Sequence, residues 1–474
     1  MHSPSLTTMT MPSTVELLTS GGDARIELNS AGYNAYGCQA TPDSQLISFS
    51  SSTATVISNT GFDCAQRFQH SLQEALQHTS ADHVFAETRD KINTQLAHLC
   101  GLTEQTQLIL SPSGTDVHGL VAQHLSHAHG ATRLRIIMID SNETGRGVAI
   151  ALQHAQQSFA PELLSLPLRD NTGELLTDDV LNERLTAWVR QSAAIQQAVL
   201  VVLIDQSKTG LLAPNLQQLV SLHQQYQEFM TVLVDACQFR LAPVTLRAYL
   251  AQGFLVAITG SKFLTGPSFS AALLINNDPP LLASPHAPTQ LNFGLLLRWQ
   301  VALHEFKAFH ALSTEAISTV ISTFALRIRQ RLHTDSIFTE LPNTALDRYC
   351  LVPEPCWDQL PTIFSFVVNY ATPPYLPLSA NETRWLYQQL PHDNHTSTEL
   401  MQRLPRCQLG QPVLIGQQHG ITLSALRLSI SARLIVNAAQ SPQHTQQIID
   451  DALLVLDKVA YLSHTLTSFP QLRS

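Results

Sequence analysis

Lys262 stands in the stretch Ala257-Ile-Thr-Gly-Ser-Lys-Phe-Leu-Thr-Gly-Pro267, a tight polar loop between two apolar runs, Phe254 to Ile258 and Ala271 to Ile275. A lysine in such a strand-loop-strand setting is not needed for solubility. Desolvation lowers the pKa of its amine, which can then form an imine with a carbonyl cofactor and afterwards carry a proton. Upstream, Thr231 to Asp235 reads as a buried β-branched strand that ends in a carboxylate and runs straight into Ala236-Cys237-Gln238. An acid at the carboxyl end of an α/β strand lies where such sheets bind ligands. Asp235 therefore suits a protonated ring nitrogen, and Gln238 a neighbouring ring oxygen. Taken singly, each also has a plainer reading, a loop lysine and an aspartate that starts a loop.

A third group lies earlier. The apolar strand Thr106 to Leu110 enters Ser111-Pro-Ser113-Gly114-Thr115-Asp116 and then a helical pattern from Val117 to Leu125. Small hydroxyl residues and glycine at a helix N-terminus leave unpaired N–H groups at the positive end of the helix dipole, which suits a phosphate dianion. Ordinary capping by Ser113 or Thr115 is the alternative. The GxxxxGK[ST] and GxGxxG patterns are absent from this loop, so nucleotide binding by those routes is not supported.

The ordered set Ser113-Gly114-Thr115, Asp235-x-x-Gln238, Thr259-Gly-Ser-Lys262 with Gly266-Pro267, and Leu426-Arg427-Leu-Ser429 resembles the class V aminotransferase and cysteine desulfurase group of fold type I pyridoxal phosphate enzymes. Leu28-Asn29-Ser-Ala31-Gly32 is similar to that group's N-terminal Leu-Asp-x-Ala-Gly segment. The resemblance runs from about residue 25 to the end. It implies Lys262 as the Schiff-base lysine, Asp235 as partner of the pyridine nitrogen and Gln238 as partner of the phenolic oxygen. Thr259 and the Gly114-Thr115 backbone would hold the phosphate, while Asn29 and Arg427 would meet the substrate; a planar bidentate donor suits a carboxylate. The resemblance further implies a homodimer and an enzyme that acts on an amino acid through an external aldimine and quinonoid. Asp235 would keep the ring an electron sink. Transamination, elimination, replacement and carbon–carbon bond formation share that course. Cysteine desulfurization or carbon–sulfur lysis is a second reading. A catalytically silent binding protein of the same fold is a third, of a different class.

Some positions depart from the family. Glu143 stands where a ring-stacking histidine is usual, and a carboxylate cannot stack as an imidazole does; an acid/base role, a substrate contact and a turn role stay open. Gln206 or Ser207 would contact the cofactor if the Ile204 to Gly210 turn matches the family's. Ser261 replaces the histidine before the lysine, and the gap from Lys262 to Gly266 is one residue longer than usual. Desulfurases need a mobile thiol upstream of the carboxylate-binding arginine. The matching place is Val413, which cannot accept sulfur, and Cys407 is the nearest thiol.

With 474 residues the chain exceeds the size at which one core stops growing, so two domains are expected. Its 44% hydrophobic and 13% charged content suits extensive burial. A net charge of -9 with no basic run argues against nucleic acid as a partner. Seven cysteines without a CxxC pair fit reduced thiols and a cytoplasmic location. The first twenty residues lack the charged and apolar regions of a secretory signal, and no apolar stretch approaches membrane-spanning length. His118, His124, His127 and His129 cluster on and after an expected helix, but without a ligand pattern they read as solvated or capping residues rather than a metal site.

Strand and helix patterns alternate from Thr106 to Ile275, with helices expected at Asp178 to Ala194 and Asn215 to Phe229. This predicts an α/β protein with a mostly parallel sheet and its site at the strand ends. The expected division is an N-terminal arm, residues 1–60, that includes a short strand from Asp23 to Leu28, then a large cofactor-binding domain, residues 61–285, and a smaller α+β domain, residues 286–474. The proline-rich stretch 277–288 marks the boundary between the last two.

Overall fold

A computed structural model describes residues 10–129, 134–145, 147–153, 161–276, 291–392 and 404–468. Its strands in chain order are β1 (Ile47–Phe49), β2 (Thr106–Ser111), β3 (Leu134–Ile139), β4 (Glu162–Leu166), β5 (Ala198–Asp205), β6 (Leu212–Ala213), β7 (Met230–Ala236), β8 (Leu255–Thr259), β9 (Ala271–Asn276), β10 (Phe338–Glu340), β11 (Ile363–Val368), β12 (Cys407–Gln418) and β13 (Ile421–Ser429).

Among the described residues the larger sheet has eight strands in the order β2-β9-β8-β7-β5-β3-β4, with β6 paired to β5. The pairs β3–β4, β3–β5, β5–β7 and β7–β8 are parallel, while β9 runs antiparallel to β2 and β8. Every residue of β5 is buried, as its unbroken apolar run requires of a strand covered on both faces. Helices Gly114–His129, Asp178–Ala194, Leu216–Tyr226 and Pro243–Ala251 make the crossovers. In a sheet wound this way the carboxyl ends of the parallel strands lie along one rim, and Asp205, Asp235 and Thr259 all stand there.

The smaller sheet has the order β1-β12-β13-β11-β10. Its β12–β13 hairpin turns at His419-Gly420, both with positive φ, 51° and 78°, a backbone that a tight turn between twisted strands demands. Its edge strand β1 comes from the N-terminal segment and pairs in parallel with β12. The long helix Phe293–His310 packs on helices Asn59–Ala75 and Ala81–Cys100. Many helix starts follow hydroxyl or amide caps, Ser58, Ser80, Asn215, Asn292 and Ser313 among them.

One expected element is absent. Asp23 to Leu28 forms turns, not a strand. The Asp23 carboxylate accepts the Arg25 backbone N–H at 3.0 Å and its Nε–H at 2.9 Å, and Ile26 N donates to Asp23 O. An aspartate that captures its own chain two residues on competes with any sheet ladder. The proline-rich stretch 277–288 lies outside the described residues.

Candidate active site

A cavity of about 1660 Å³ opens over the carboxyl ends of the large sheet. The turns after β2, β3, β5, β7 and β8 form its floor. The Asp23–Gly37 segment, the β12–β13 hairpin and the helix Ala380–Gln389 wall it in.

At the floor the structure brings Asp235 and Lys262 together with a residue that the sequence reading left aside. His118 is fully buried, one turn into the helix Gly114–His129. Its Nδ1–H donates to Gly114 O at 2.6 Å, since a carbonyl can only accept, and its Nε2 lies 3.4 Å from Asp235 Oδ2, within ion-pair reach but short of a hydrogen bond. Cys237 N donates to Asp235 Oδ1 at 3.1 Å. Burial pushes the Asp235 carboxyl up, yet the His118 charge, the Cys237 side chain and the Lys262 charge outweigh it and hold the group well below the usual carboxylate range. Burial pushes His118 down, and the Asp235 charge more than offsets that, so its pKa is raised. Asp235 is thus an anion with unfilled acceptor capacity. Lys262 is half-buried beside it, and among the described residues its ammonium makes no hydrogen bond. The expectation that His118 is solvated or capping is corrected. The signal was its spacing, four residues after Gly114, which turns it inward beneath the helix start.

The loop between β2 and the helix Gly114–His129 starts that helix at Gly114. A Cβ at Gly114 would stand 2.5 Å from Cys237 Sγ, so only glycine lets the helix start approach the β7 end. Ser113 Oγ accepts from Asp116 N at 3.2 Å and donates to the Asp116 carboxylate at 2.7 Å, so it caps the helix. Thr259 Oγ1 donates its proton to Cys237 O at 2.6 Å and Ser261 Oγ donates to Thr259 Oγ1 at 3.4 Å, so Thr259 offers the cavity an acceptor rather than a donor. Four buried polar atoms of wall residues have no hydrogen-bond partner among the described residues: Ser52 Oγ, His118 Nε2, Gln238 Oε1 and Ser268 Oγ. The other end of Gln238 is fixed, its Nε2 donating to Ser52 O at 3.0 Å. Orphaned buried atoms facing a cavity call for a polar occupant.

Glu143 lines the cavity with its carboxylate engaged inside the protein, and Ser207 stands behind it. The Glu143 carboxylate accepts from Ser207 Oγ at 2.7 Å, Thr209 Oγ1 at 2.8 Å, Thr209 N at 3.2 Å and Arg169 Nε at 3.3 Å. Ser207 is fully buried and off the cavity wall. Together they stitch the turn after β5 to the turn after β3. Gln206 does line the cavity, with a left-handed φ of 61°.

Arg427 reaches the wall from β13, but the bidentate edge that the sequence reading offers to a substrate is engaged within the protein. Its Nε and Nη2 both donate to Gln411 O, Nη2 also to Thr53 Oγ1 and Nη1 to Lys208 O, which leaves one of the five guanidinium N–H groups. Burial lowers its pKa to about 10, so it stays charged at neutral pH. Asn29 stands at the rim, its Oδ1 accepting from Ala31 N and Tyr33 N, both at 3.0 Å. Cys407 is buried at the start of β12, away from the wall, and burial pushes its thiol up to about 12. A mobile thiolate it is not; the cavity's own cysteine is Cys237. Among the described residues no group of three or more His, Cys, Asp or Glu is arranged to hold a metal ion, and no helix is long and apolar enough to cross a membrane.

No protein-family model matches the chain and no curated protein does. Solved structures do. A NifS-like protein is similar over 90% of this chain and 100% of its own, with 12% identity and a TM-score of 0.54. The chain has the fold type I architecture of pyridoxal phosphate enzymes. A complex between the cystine C–S lyase C-DES and its product cysteine persulfide matches over 85% of this chain and 97% of that one, at 13% identity and a TM-score of 0.54. Oryza sativa TDC with PLP matches over 88% and 83%, at 14% identity and a TM-score of 0.53.

Proposed function

We propose that this fold type I chain is a pyridoxal phosphate-dependent enzyme acting on the amino group or α-carbon of an amino acid, aminotransferase-like or a specialised lyase or transferase of the class V kind. The observation that carries the reading is the convergence of an unpaired lysine, Lys262, and an under-filled buried carboxylate, Asp235, on one cavity floor beside a helix N-terminus. The residues present fit the group: Gly114 and Thr115 N–H groups for the phosphate, Asp235 for the ring nitrogen, the second Nε2 hydrogen of Gln238, beyond the one given to Ser52 O, for the ring oxygen, and Lys262 for the aldehyde. Thr259 would then act as an acceptor that orders the loop, and Glu143 and Ser207 as supports of the wall.

When bound, the cofactor supplies a carbonyl for the substrate's amine and a ring that withdraws electrons from the α-carbon. The chain does the rest. The Lys262 amine would hold and move the α-proton. The His118 charge holds Asp235 negative against the cost of burial, so it favours a protonated partner. Arg427 supplies positive charge and one N–H toward a carboxylate. The arm, large domain and small domain at 1–60, 61–285 and 286–474, a homodimeric assembly and a cytoplasmic location belong to the same proposal.

Reconstitution tests it. Protein incubated with pyridoxal phosphate is expected to turn yellow, and borohydride to fix the cofactor on the peptide carrying Lys262, with no fixation in Lys262→Ala. A colourless product, or label on another lysine, ends the proposal. Carbon–sulfur cleavage is the second reading, favoured by likeness to the NifS-like protein and the cystine lyase.

A further inference from the structure

The charges on the cavity wall do not balance. Each wall carboxylate among the described residues has its own cation: Asp23 with Arg25 at 2.6 Å, Glu143 with Arg169 at 3.3 Å and Asp235 with His118 at 3.4 Å. Among the wall cations, Lys262, Arg384 and Arg427 have no carboxylate within ion-pair distance among the described residues. Lys262 is assigned to the cofactor aldehyde, which leaves two guanidiniums facing the space a substrate would enter.

Arg384 is held there by its helix. Ala380, Arg384, Tyr387 and Gln388 all line the cavity, the i, i+4, i+7, i+8 spacing of one helix face. The helix is fixed at its start by a capping box in which Glu382 accepts from Ser379 N at 2.9 Å and Ser379 Oγ at 2.7 Å, and the Tyr370 hydroxyl donates to the same carboxylate. Just past its end, the buried Lys458 donates to Leu390 O at 2.8 Å and His392 O at 2.9 Å. Tyr387 lies a turn on from Arg384 and close to Arg427: burial pushes its phenol up to about 12 while the Arg427 charge acts the other way. Both guanidiniums line the same cavity. Arg427, with most of its donors engaged, offers little more than charge, whereas Arg384 is exposed to the cavity.

We propose that the substrate is an amino acid carrying a second acidic group, its α-carboxylate drawn to Arg427 and its distal acid to Arg384. The inference rests on the function proposed above. The size of the cavity agrees, since about 1660 Å³ exceeds what most small-ligand sites enclose, roughly 300–1,000 Å³.

The test is calorimetric titration of the pyridoxal phosphate-loaded protein with glutarate and with butyrate, acids of similar reach that lack the reacting amine. Glutarate is expected to bind about tenfold more tightly. Arg384→Gln should remove that preference while leaving butyrate affinity unchanged, and Arg384→Lys should keep part of it. Equal affinities in the unaltered protein, or an Arg384→Gln change that weakens both acids alike, overturn the inference. Visible absorbance of the cofactor separates the two levels: a protein that takes up pyridoxal phosphate but shows no preference loses only the substrate class, and one that takes up none loses both.

Discussion

Two buried carboxylates at the same rim of the large sheet, Asp235 and Glu143, are held in opposite ways. Their side chains are 7% and 4% exposed. Glu143 is saturated by two hydroxyls, a backbone N–H and a guanidinium. Asp235 has one backbone N–H and an imidazole at 3.4 Å. Burying a carboxylate is costly unless its acceptor sites are filled, so the saturated one is spent on joining two turns. The under-filled one keeps capacity for a cationic partner. Burial alone does not separate the two roles; the count of internal donors does.

Breaking each carboxylate in turn tests the contrast. Asp235→Asn removes the anion from the cavity floor, and turnover with any accepted substrate is expected to fall roughly a hundred- to thousandfold in steady-state assays. Cofactor affinity, read by titration, should weaken with it. Glu143→Ala should act on stability, since it strands the buried Arg169; a loss of about 3 kcal/mol is expected in chemical denaturation, with Glu143→Gln milder. Abolished cofactor uptake in a fully stable Glu143→Ala protein would reverse the assignment of the two acids.

Proton linkage sharpens the comparison. The Asp235 pKa is depressed in the folded state, so its stabilisation is present above the ordinary carboxylate pKa and fades as pH falls toward the folded value. The His118 pKa is raised, so its contribution is complete below the ordinary imidazole pKa and is lost as pH rises through the folded one. The pair should therefore support the fold most between about pH 4 and 6.5. His118→Gln should flatten the alkaline decline in melting temperature above that window; an unchanged profile would mean that the imidazole does not share the Asp235 charge. The smallest effect is expected from Cys407→Ser, which should leave any sulfide or alanine release unchanged because that thiol lies off the cavity.

Much of the frame was legible because local chemistry writes it. The unbroken apolar run of β5 reads as a doubly covered strand, and the helix Asp178–Ala194 begins and ends where its pattern does. Asp23 to Leu28, expected as a short strand, forms turns because Asp23 captures the chain two and three residues on. In the site, Lys262, Asp235, Gln238 and Gly114 could be named from loop chemistry. The meaning of Glu143, Ser207, Thr259 and Arg427 could not, since each depends on a partner distant in sequence: Arg169 for Glu143, Glu143 for Ser207, Cys237 O for Thr259 and Gln411 O for Arg427.

What the sequence determined by itself is the set of groups able to do the chemistry and the strand ends that carry them, because periodicity and turn residues act over a few neighbours. Which carboxylate keeps an open acceptor, which arginine keeps a free donor and which histidine is driven inside were decided only when distant segments packed. Hydrogen-bond capacity is finite, and only the folded arrangement says where it is used.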